Sequence, residues 1–87
     1  MTREELAGEI TSIFRETFDD DSIEVNDNTV AADVDGWDSL MHIDLIYAIE
    51  SKMGIKFPMR DIVGLKNVGQ LIDKVAELSG LRLESVH

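Results

Sequence analysis

The sequence predicts an all-α fold, a bundle of three long helices and one short helix with a long loop between the first and second helices. Apolar residues recur at spacings of three and four in several segments, whereas strand-like alternation is scarce and proline occurs once. The 87 residues, 44% of them apolar, suffice for one small core. We therefore expect a single domain over residues 1–87, with its core in about 3–79. The tail, residues 81–87, either adds a little packing or frays.

The first predicted helix runs from Arg3 to Thr17. Thr2 and Glu5 have the spacing of a capping box, in which each side chain accepts a hydrogen bond from the other residue's backbone amide. Its buried face is expected to consist of Leu6, Ile10, Ile13, Phe14 and Phe18. Residues 19–38 are rich in Asp, Asn and Ser, which favour turns. They predict a loop of about 20 residues, a length that is uncommon in a compact domain unless the loop serves a function.

The second predicted helix begins at Asp38–Ser39 and ends near Met53. Asp38 is suited to cap its first turn, and Gly54 is suited to end it. We expect its buried face to consist of six apolar side chains: Leu40, Ile43, Ile46, Tyr47, Ile49 and Met53. Four polar side chains are expected to lie largely outside that face: His42, Asp44, Glu50 and Lys52.

The last two predicted helices follow the proline. Pro58 at a first helical position predicts a short helix over about 59–63. Asn67 is expected to cap a longer helix that runs to about Leu78 and is ended by Gly80. The inward side chains of this longer helix are expected to be Val68, Leu71, Ile72, Val75 and Leu78.

Charge and composition exclude several classes of partner. The net charge of −10 argues against nucleic acid and anionic membranes, which are polyanions, and favours partners with basic surfaces. The acid is concentrated in residues 1–50, which carry −12, while residues 51–87 carry +2. The absence of cysteine excludes disulfides and thiolate chemistry. No apolar run is long enough to cross a bilayer and the first residues do not resemble a secretory signal, so we expect a cytoplasmic protein. We also expect it to be a monomer.

The sequence offers little for catalysis or metal binding. Only His42 and His87 are available as histidine bases, and His87 is the last residue. Ser39 lies three residues before His42, but a nucleophile and its base also need an oxyanion site and a substrate pocket. An EF-hand register that places Gly36 sixth puts Ala31 first, where a ligand oxygen is required. We therefore expect neither an enzyme nor a dedicated metal site.

The end of the long loop and the start of the second helix share one motif, Asp35-Gly36-Trp37-Asp38-Ser39-Leu40. Gly36 permits a sharp turn and leaves space for a large partner. Ser39 lies where free backbone amides and the positive end of the helix dipole favour a phosphate, although Asp33, Asp35 and Asp38 would oppose one. On local chemistry alone, Asp38 and Ser39 are more often a simple capping pair.

The order of motifs along the chain resembles the acyl carrier protein family. The resemblance covers nearly the whole chain: the amphipathic first helix, the motif at 35–40, a second helix through Asp44, Leu45 and Glu50, the run Gly54-Ile55-Lys56-Phe57-Pro58, and the run Asn67-Val68-Gly69-Gln70-Leu71. A lone Asp-Ser-Leu recurs by chance, whereas the ordered set across four predicted helices is specific.

The resemblance implies that Ser39 receives a 4′-phosphopantetheine arm from coenzyme A, added by a phosphopantetheinyl transferase. The thiol of that arm carries acyl groups as thioesters between enzymes of fatty acid, polyketide or related specialised biosynthesis. The absence of cysteine fits this role, because the cofactor brings the thiol. The chain is then expected to be a carrier and a substrate of the transferase, not an enzyme.

The resemblance also implies a docking surface and an acyl pocket. Six residues are expected to meet acyl-transferring, condensing or modifying enzymes with basic surfaces: Asp35, Asp38, Leu40, Met41, Asp44 and Glu50. Leu40 and Met41 are alternatively buried, and Asp44 and Glu50 alternatively ordinary solvated surface. Seven residues are candidates to line the pocket, with Tyr47 or Met53 as its gate: Phe14, Ile43, Ile46, Tyr47, Ile62, Leu71 and Val75. The alternative for these side chains is an ordinary packed core.

Departures from the fatty-acid carrier pattern favour a specialised pathway. Met41 stands where that pattern usually has an acid, and the third region is basic, with Lys56, Arg60 and Lys66. Trp37 before the aspartate and serine is also commoner in carriers of specialised pathways. We hypothesise a specialised carrier, with housekeeping fatty-acid synthesis as the near alternative. A peptidyl or aminoacyl carrier and a non-modified, carrier-like interaction domain are the further alternatives.

Overall fold

A computed structural model of the chain describes residues 2–80. This part of the chain forms, in order, α1 (Arg3–Thr17), a 3-10 turn (Ala31–Asp33), α2 (Ser39–Met53), α3 (Met59–Gly64) and α4 (Val68–Ser79). Helix α1 packs against both α2 and α4. The predicted all-α bundle of three long helices and one short helix, with a long loop after the first, is confirmed. The predicted tail, residues 81–87, lies outside the described residues.

Local caps set the ends of the helices. Thr2 and Glu5 form the predicted capping box, with N···O distances of 3.1 and 3.2 Å. Asp38 caps α2 and Asn67 caps α4, each accepting a hydrogen bond of 2.8 Å from the third backbone amide of its helix. Both helices end at a glycine in the left-handed conformation, with φ of 67° and 68°. The long helices therefore begin and end where the sequence predicts, within one residue.

Two features between the helices differ from the prediction. Pro58 is the N-cap of α3 rather than its first helical residue, because its ψ of 145° is extended and not helical. The 3-10 turn inside the long loop has no apolar periodicity to predict it. It is stabilised instead by Asp33, whose carboxylate accepts a hydrogen bond from the Val30 amide at 3.1 Å.

The core forms where the three long helices meet. Its buried apolar members are Leu6, Ile10, Ile13, Phe14, Leu45, Ile46, Ile49, Phe57, Val68, Leu71, Ile72, Val75 and Ala76. The predicted inward faces of α1 and α4 are buried except for Phe18 and Leu78, which are half-buried. Each large aliphatic or aromatic side chain buried in this way contributes about 1.5–3 kcal/mol to folding. Within the described residues, no helix is long and apolar enough to cross a membrane.

The face that α2 buries differs from the predicted one. Leu40 and Tyr47 are 72% and 68% exposed, and Ile43 is 39% exposed, so these three side chains are not part of the core. Leu45, which the prediction leaves out, is fully buried. Apolar residues surround most of α2, so their spacing alone does not define one face. The contact with α1 selects the face instead.

The long loop is fastened to the start of α4 by main-chain hydrogen bonds. The Val68 amide donates to the Thr29 carbonyl at 2.9 Å, and the Gly69 amide donates to the Asp27 carbonyl at 3.0 Å. Two of the four amides that the start of a helix leaves free are thereby satisfied. Val34, further along the loop, is buried. These contacts hold the end of the loop, and with it the start of α2, against the rest of the molecule.

Candidate functional site

Ser39 is the first helical residue of α2, and it is exposed. Asp38 caps the helix, and Gly36, with a φ of 84°, turns the chain towards it. Within residues 2–80 the Ser39 hydroxyl has no hydrogen-bond partner, and the amides of Ser39 and Leu40 have no acceptor. The serine thus presents a free hydroxyl beside two free amides, at the positive end of the helix dipole.

Trp37 fixes the chain just before the serine. Its half-buried indole packs edge-on against Phe14, with ring centroids 5.1 Å apart, and lies 6.5 Å from Phe18. The indole Nε1–H donates a hydrogen bond to Nδ1 of His42 at 3.1 Å. The end of the loop is therefore attached to α1 by aromatic packing and to α2 by a hydrogen bond.

His42 joins three segments around Ser39. An indole N–H can only donate, so Nδ1 of His42 is the acceptor and Nε2 carries the ring proton. Nε2–H then donates to the backbone carbonyl of Ile62 in α3, at 2.9 Å. The sequence pattern places His42 largely outside the buried face, but the imidazole is half-buried. Its role is missed from the sequence, where the only signal is an indole donor five residues before an imidazole.

A cavity of about 580 Å³ opens beside Ser39, between α2, α3 and the start of α4. Trp37 and His42 line it, as do three of the seven predicted pocket residues: Ile43, Ile62 and Leu71. Three others are buried in the core: Phe14, Ile46 and Val75. Tyr47 is exposed on the outer side of α2. The structure thus brings fewer than half of the predicted pocket residues together beside the serine.

The predicted docking residues differ in how free their side chains are. Asp35 and Asp44 are exposed and take part in no side-chain hydrogen bond or ion pair with another described residue. Asp38 uses one oxygen to cap α2. Glu50 is half-buried and accepts a hydrogen bond of 2.8 Å from the Phe57 backbone amide. The two apolar members are Leu40, which is exposed, and Met41, which is half-buried.

The helical bundle with an exposed serine at the head of α2 agrees with the small carrier domain that the sequence resembles. A family model described as a phosphopantetheine attachment site matches residues 8–75. The chain therefore belongs to the acyl carrier protein family.

Individual relatives agree with this assignment. An acyl carrier protein of Rhodococcus erythropolis is 32% identical over 78 residues, which cover 88% of this chain and 85% of the relative. An acyl carrier protein of Thermotoga maritima is 29% identical over 79 residues, which cover 91% of this chain and 98% of the relative. The solution NMR structure of holo acyl carrier protein from Geobacter metallireducens matches with a TM-score of 0.82 at 44% identity, over 94% of each chain.

Membership of this family confirms two expectations from the sequence. Acyl carrier proteins are carriers and not enzymes, and they hold phosphopantetheine through a covalent bond. The residues at the head of α2 fit that group, because an exposed hydroxyl without a hydrogen-bond partner in residues 2–80 is free to be esterified. The cofactor supplies the thiol that the 87-residue chain lacks.

Proposed function

We propose that Ser39 is the residue that carries the 4′-phosphopantetheine arm, and that the chain shuttles acyl groups between the enzymes of fatty acid, polyketide or related specialised biosynthesis. The observation that carries this proposal is the exposed Ser39 hydroxyl at the first helical position of α2, beside the 580 Å³ cavity. Thioester chemistry is supplied by the arm. The chain's own residues present the hydroxyl, orient the start of α2 and offer a surface to partner enzymes.

The electrostatics at the head of α2 support a phosphodiester on Ser39. The free amides of Ser39 and Leu40 point out of the helix start, where the dipole stabilises a negative group by about 0.3–1 kcal/mol. Asp35 and Asp38 oppose it, but one Asp38 oxygen is already bonded to a backbone amide of the helix. The exposed position lets water screen the remaining repulsion.

The partners proposed are a phosphopantetheinyl transferase and acyl-transferring, condensing or modifying enzymes with basic groups at their docking surfaces. Asp35 and Asp44 are the carboxylates best placed to meet them, since both are exposed and unpaired among the described residues. Exposed Leu40 adds apolar contact. We place this exchange in the cytoplasm, with the carrier as a monomer.

The cavity beside Ser39 is proposed to receive the first part of the acyl chain. Ile43, Ile62 and Leu71 supply apolar wall, which suits an alkyl segment. The basic residues near α3 favour a specialised pathway over housekeeping fatty-acid synthesis. Turnover of the holo protein by a general fatty-acid elongation system, at the rate of that system's own carrier, would contradict the specialised assignment.

Intact-mass spectrometry tests the attachment site. After incubation with coenzyme A and a broad-specificity phosphopantetheinyl transferase, we expect the chain to gain the mass of one phosphopantetheine group. Ser39→Ala should gain nothing, because no hydroxyl remains at the head of α2. Ser51→Ala is the matched control, since Ser51 is also exposed on α2 and should not affect loading.

Two outcomes would contradict the proposal. A mass gain that persists in Ser39→Ala would move the attachment to another residue. If the mass of the chain does not increase with a transferase that loads other carriers, the non-modified interaction domain is favoured instead. The mass of the holo form isolated from its own cell then separates an acyl cargo from an aminoacyl one.

A further inference from the structure

We propose that the surface around the mouth of the cavity has two electrostatic halves, an acidic one on α2 and a basic one on α3. This surface fits a partner enzyme that carries basic side chains opposite α2 and acidic side chains opposite α3. The inference rests on the proposed function, because it concerns the enzymes that reach the group on Ser39.

An exposed apolar strip forms the centre of this surface. Leu40, Ile43 and Tyr47 lie on one face of α2, at spacings of three and four, and are 72%, 39% and 68% exposed. Met59 and Val63 lie four residues apart on α3 and are 71% and 76% exposed. Of these five side chains, Ile43 and Val63 line the same cavity as Ser39, so each helix presents one exposed apolar side chain at its opening.

Acidic groups flank the strip on the α2 side. Asp44 lies next to Ile43 on α2, and Asp35 and Asp38 lie just before the helix. All three are exposed, and neither Asp35 nor Asp44 is paired within residues 2–80. A partner must therefore offer basic groups to this half.

Three basic residues lie in α3 or within three residues of it in the sequence. Lys56 precedes α3, Arg60 lies in its first turn, and Lys66 follows it and lines the cavity. All three are exposed, and their side chains make no hydrogen bond or ion pair with any other described residue. The remaining basic side chains of residues 2–80 are engaged: Arg3 with Asp27 and Asp73, Arg15 with the Ile23 carbonyl, Lys52 with Glu16, and Lys74 with Asp61 and Glu77.

The uncommitted cations of the described chain therefore all lie in α3 or beside it in the sequence. Lys66 lines the cavity beside Ser39, whereas Arg60 lies in a separate cleft between α3 and α4, which it shares with Asp61, Asp73 and Glu77. A partner with acidic groups opposite Lys66 is attracted, whereas a partner whose surface is basic throughout is repelled there. Repulsion of this kind discriminates between partners of similar shape. The basic half thus determines which enzymes the carrier serves.

A condensing enzyme chosen because only basic side chains ring its entrance is the first probe. With the holo carrier as substrate, we expect Arg60→Glu and Lys66→Glu each to lower KM by about two- to fivefold, with kcat unchanged. Lys52→Glu is the matched control, because it changes the net charge equally but lies where Lys52 pairs with Glu16 of α1. The differences should disappear at about 0.5 M salt. If Arg60→Glu and Lys66→Glu change KM no more than Lys52→Glu does, the proposal is wrong.

A double-mutant cycle tests direct pairing. Basic residues at the entrance of the same enzyme are changed to Glu one at a time, and each variant is combined with the unchanged carrier and with Arg60→Glu. We expect at least one enzyme variant to bind the unchanged carrier more tightly and to lose that gain with Arg60→Glu. Additive effects at every position would refute the pairing.

Failure of this inference is distinguishable from failure of the proposed function. Loading by the transferase is measured first, and its failure counts against attachment at Ser39 alone. Docking is measured separately, as binding of the unloaded Ser39→Ala chain to the condensing enzyme. In this chain Arg60→Glu should still tighten binding, and an unchanged affinity would overturn the docking surface even if loading succeeds.

Discussion

Ser39 lies between two side chains that fix the backbone on either side of it. Trp37, two residues before, donates to His42, three residues after, and His42 in turn donates to the Ile62 carbonyl of α3. One imidazole therefore links the chain before α2, the first turn of α2 and α3. Because Trp37, His42 and Ile62 also line the cavity, the same two hydrogen bonds help to set the shape of its wall.

Removal of this imidazole should loosen α3. His42→Leu keeps a side chain of similar bulk but leaves the Trp37 N–H and the Ile62 carbonyl without their partners. We expect a loss of about 1–3 kcal/mol in the free energy of unfolding and faster hydrogen exchange at the amides of α3. Chemical denaturation and amide exchange followed by NMR measure the two effects.

Trp37→Phe is the control for this prediction. It removes the indole donor and the bulk of the second ring, but it keeps an aromatic ring against Phe14 and leaves the His42 bond to α3 in place. Exchange in α3 should then stay close to that of the unchanged chain. Equal exchange in α3 for His42→Leu and the unchanged chain would contradict a role for His42 in holding this helix.

At the scale of elements, the long loop acts as a cap for α4. The carbonyls of Asp27 and Thr29 accept hydrogen bonds from the first two amides of that helix. Such a close approach requires a residue without a side chain at the contact. A Cβ placed on Gly69 would lie 2.9 Å from the Asp27 carbonyl oxygen and 3.1 Å from the Asp27 Cβ.

Gly69→Ala should therefore displace the loop. The obstacle is backbone, which cannot rotate away as a flexible side chain can, so we expect a loss of about 1–3 kcal/mol. Gly8→Ala is the control, since a Cβ there meets nothing within 4 Å in α1. It should leave stability unchanged or raise it by up to about 1 kcal/mol. Thermal unfolding followed by circular dichroism compares the two, and similar melting temperatures would refute the close contact.

The helix ends show what the sequence can predict. They depend on residues within one turn, as at Thr2 and Asp38, so local chemistry suffices to place them. Ser39 is proposed as the attachment residue because its motif is contiguous, and that assignment stays a prediction. The buried face of α2, with Leu45 inside and Tyr47 outside, depends on the packing of α1 and is therefore not encoded in local spacing.

At the site, the contacts that the sequence does not predict join residues far apart in the chain. The hydrogen bond from His42 joins residues 20 apart in the chain, and the contact of Gly69 joins residues 42 apart. Neither leaves a periodic pattern in the sequence. Among the predicted docking carboxylates, Glu50 accepts a hydrogen bond from the Phe57 backbone amide. The position of Glu50 in the sequence does not predict this contact.

At the scale of the whole molecule, Arg3 connects the first helix to two distant segments. Its guanidinium donates to Asp27 of the long loop at 2.9 Å, to Asp73 of α4 at 3.1 Å and to the Gly69 carbonyl at 3.2 Å. The hydrogen bond to Asp27 is the largest influence that raises the pKa of Arg3 above its ordinary value. One side chain thus secures the loop at the place where it caps α4.

Arg3→Ala should lower the stability of the whole domain. The two carboxylates are exposed, so each ion pair contributes little. The guanidinium also donates to the part-buried Gly69 carbonyl. We therefore expect the free energy of unfolding to fall by about 1–2 kcal/mol in total. For a domain of this size the melting temperature should fall by about 4–12 °C.

Arg3→Lys cannot span all three acceptors and should recover less than half of the loss. Lys52→Ala, which removes a single exposed pair with Glu16, should cost at most about 1 kcal/mol. If Arg3→Ala and Lys52→Ala melt at the same temperature, the three-way contact does not stabilise the domain, and the loop must be held by its main-chain bonds to α4 alone.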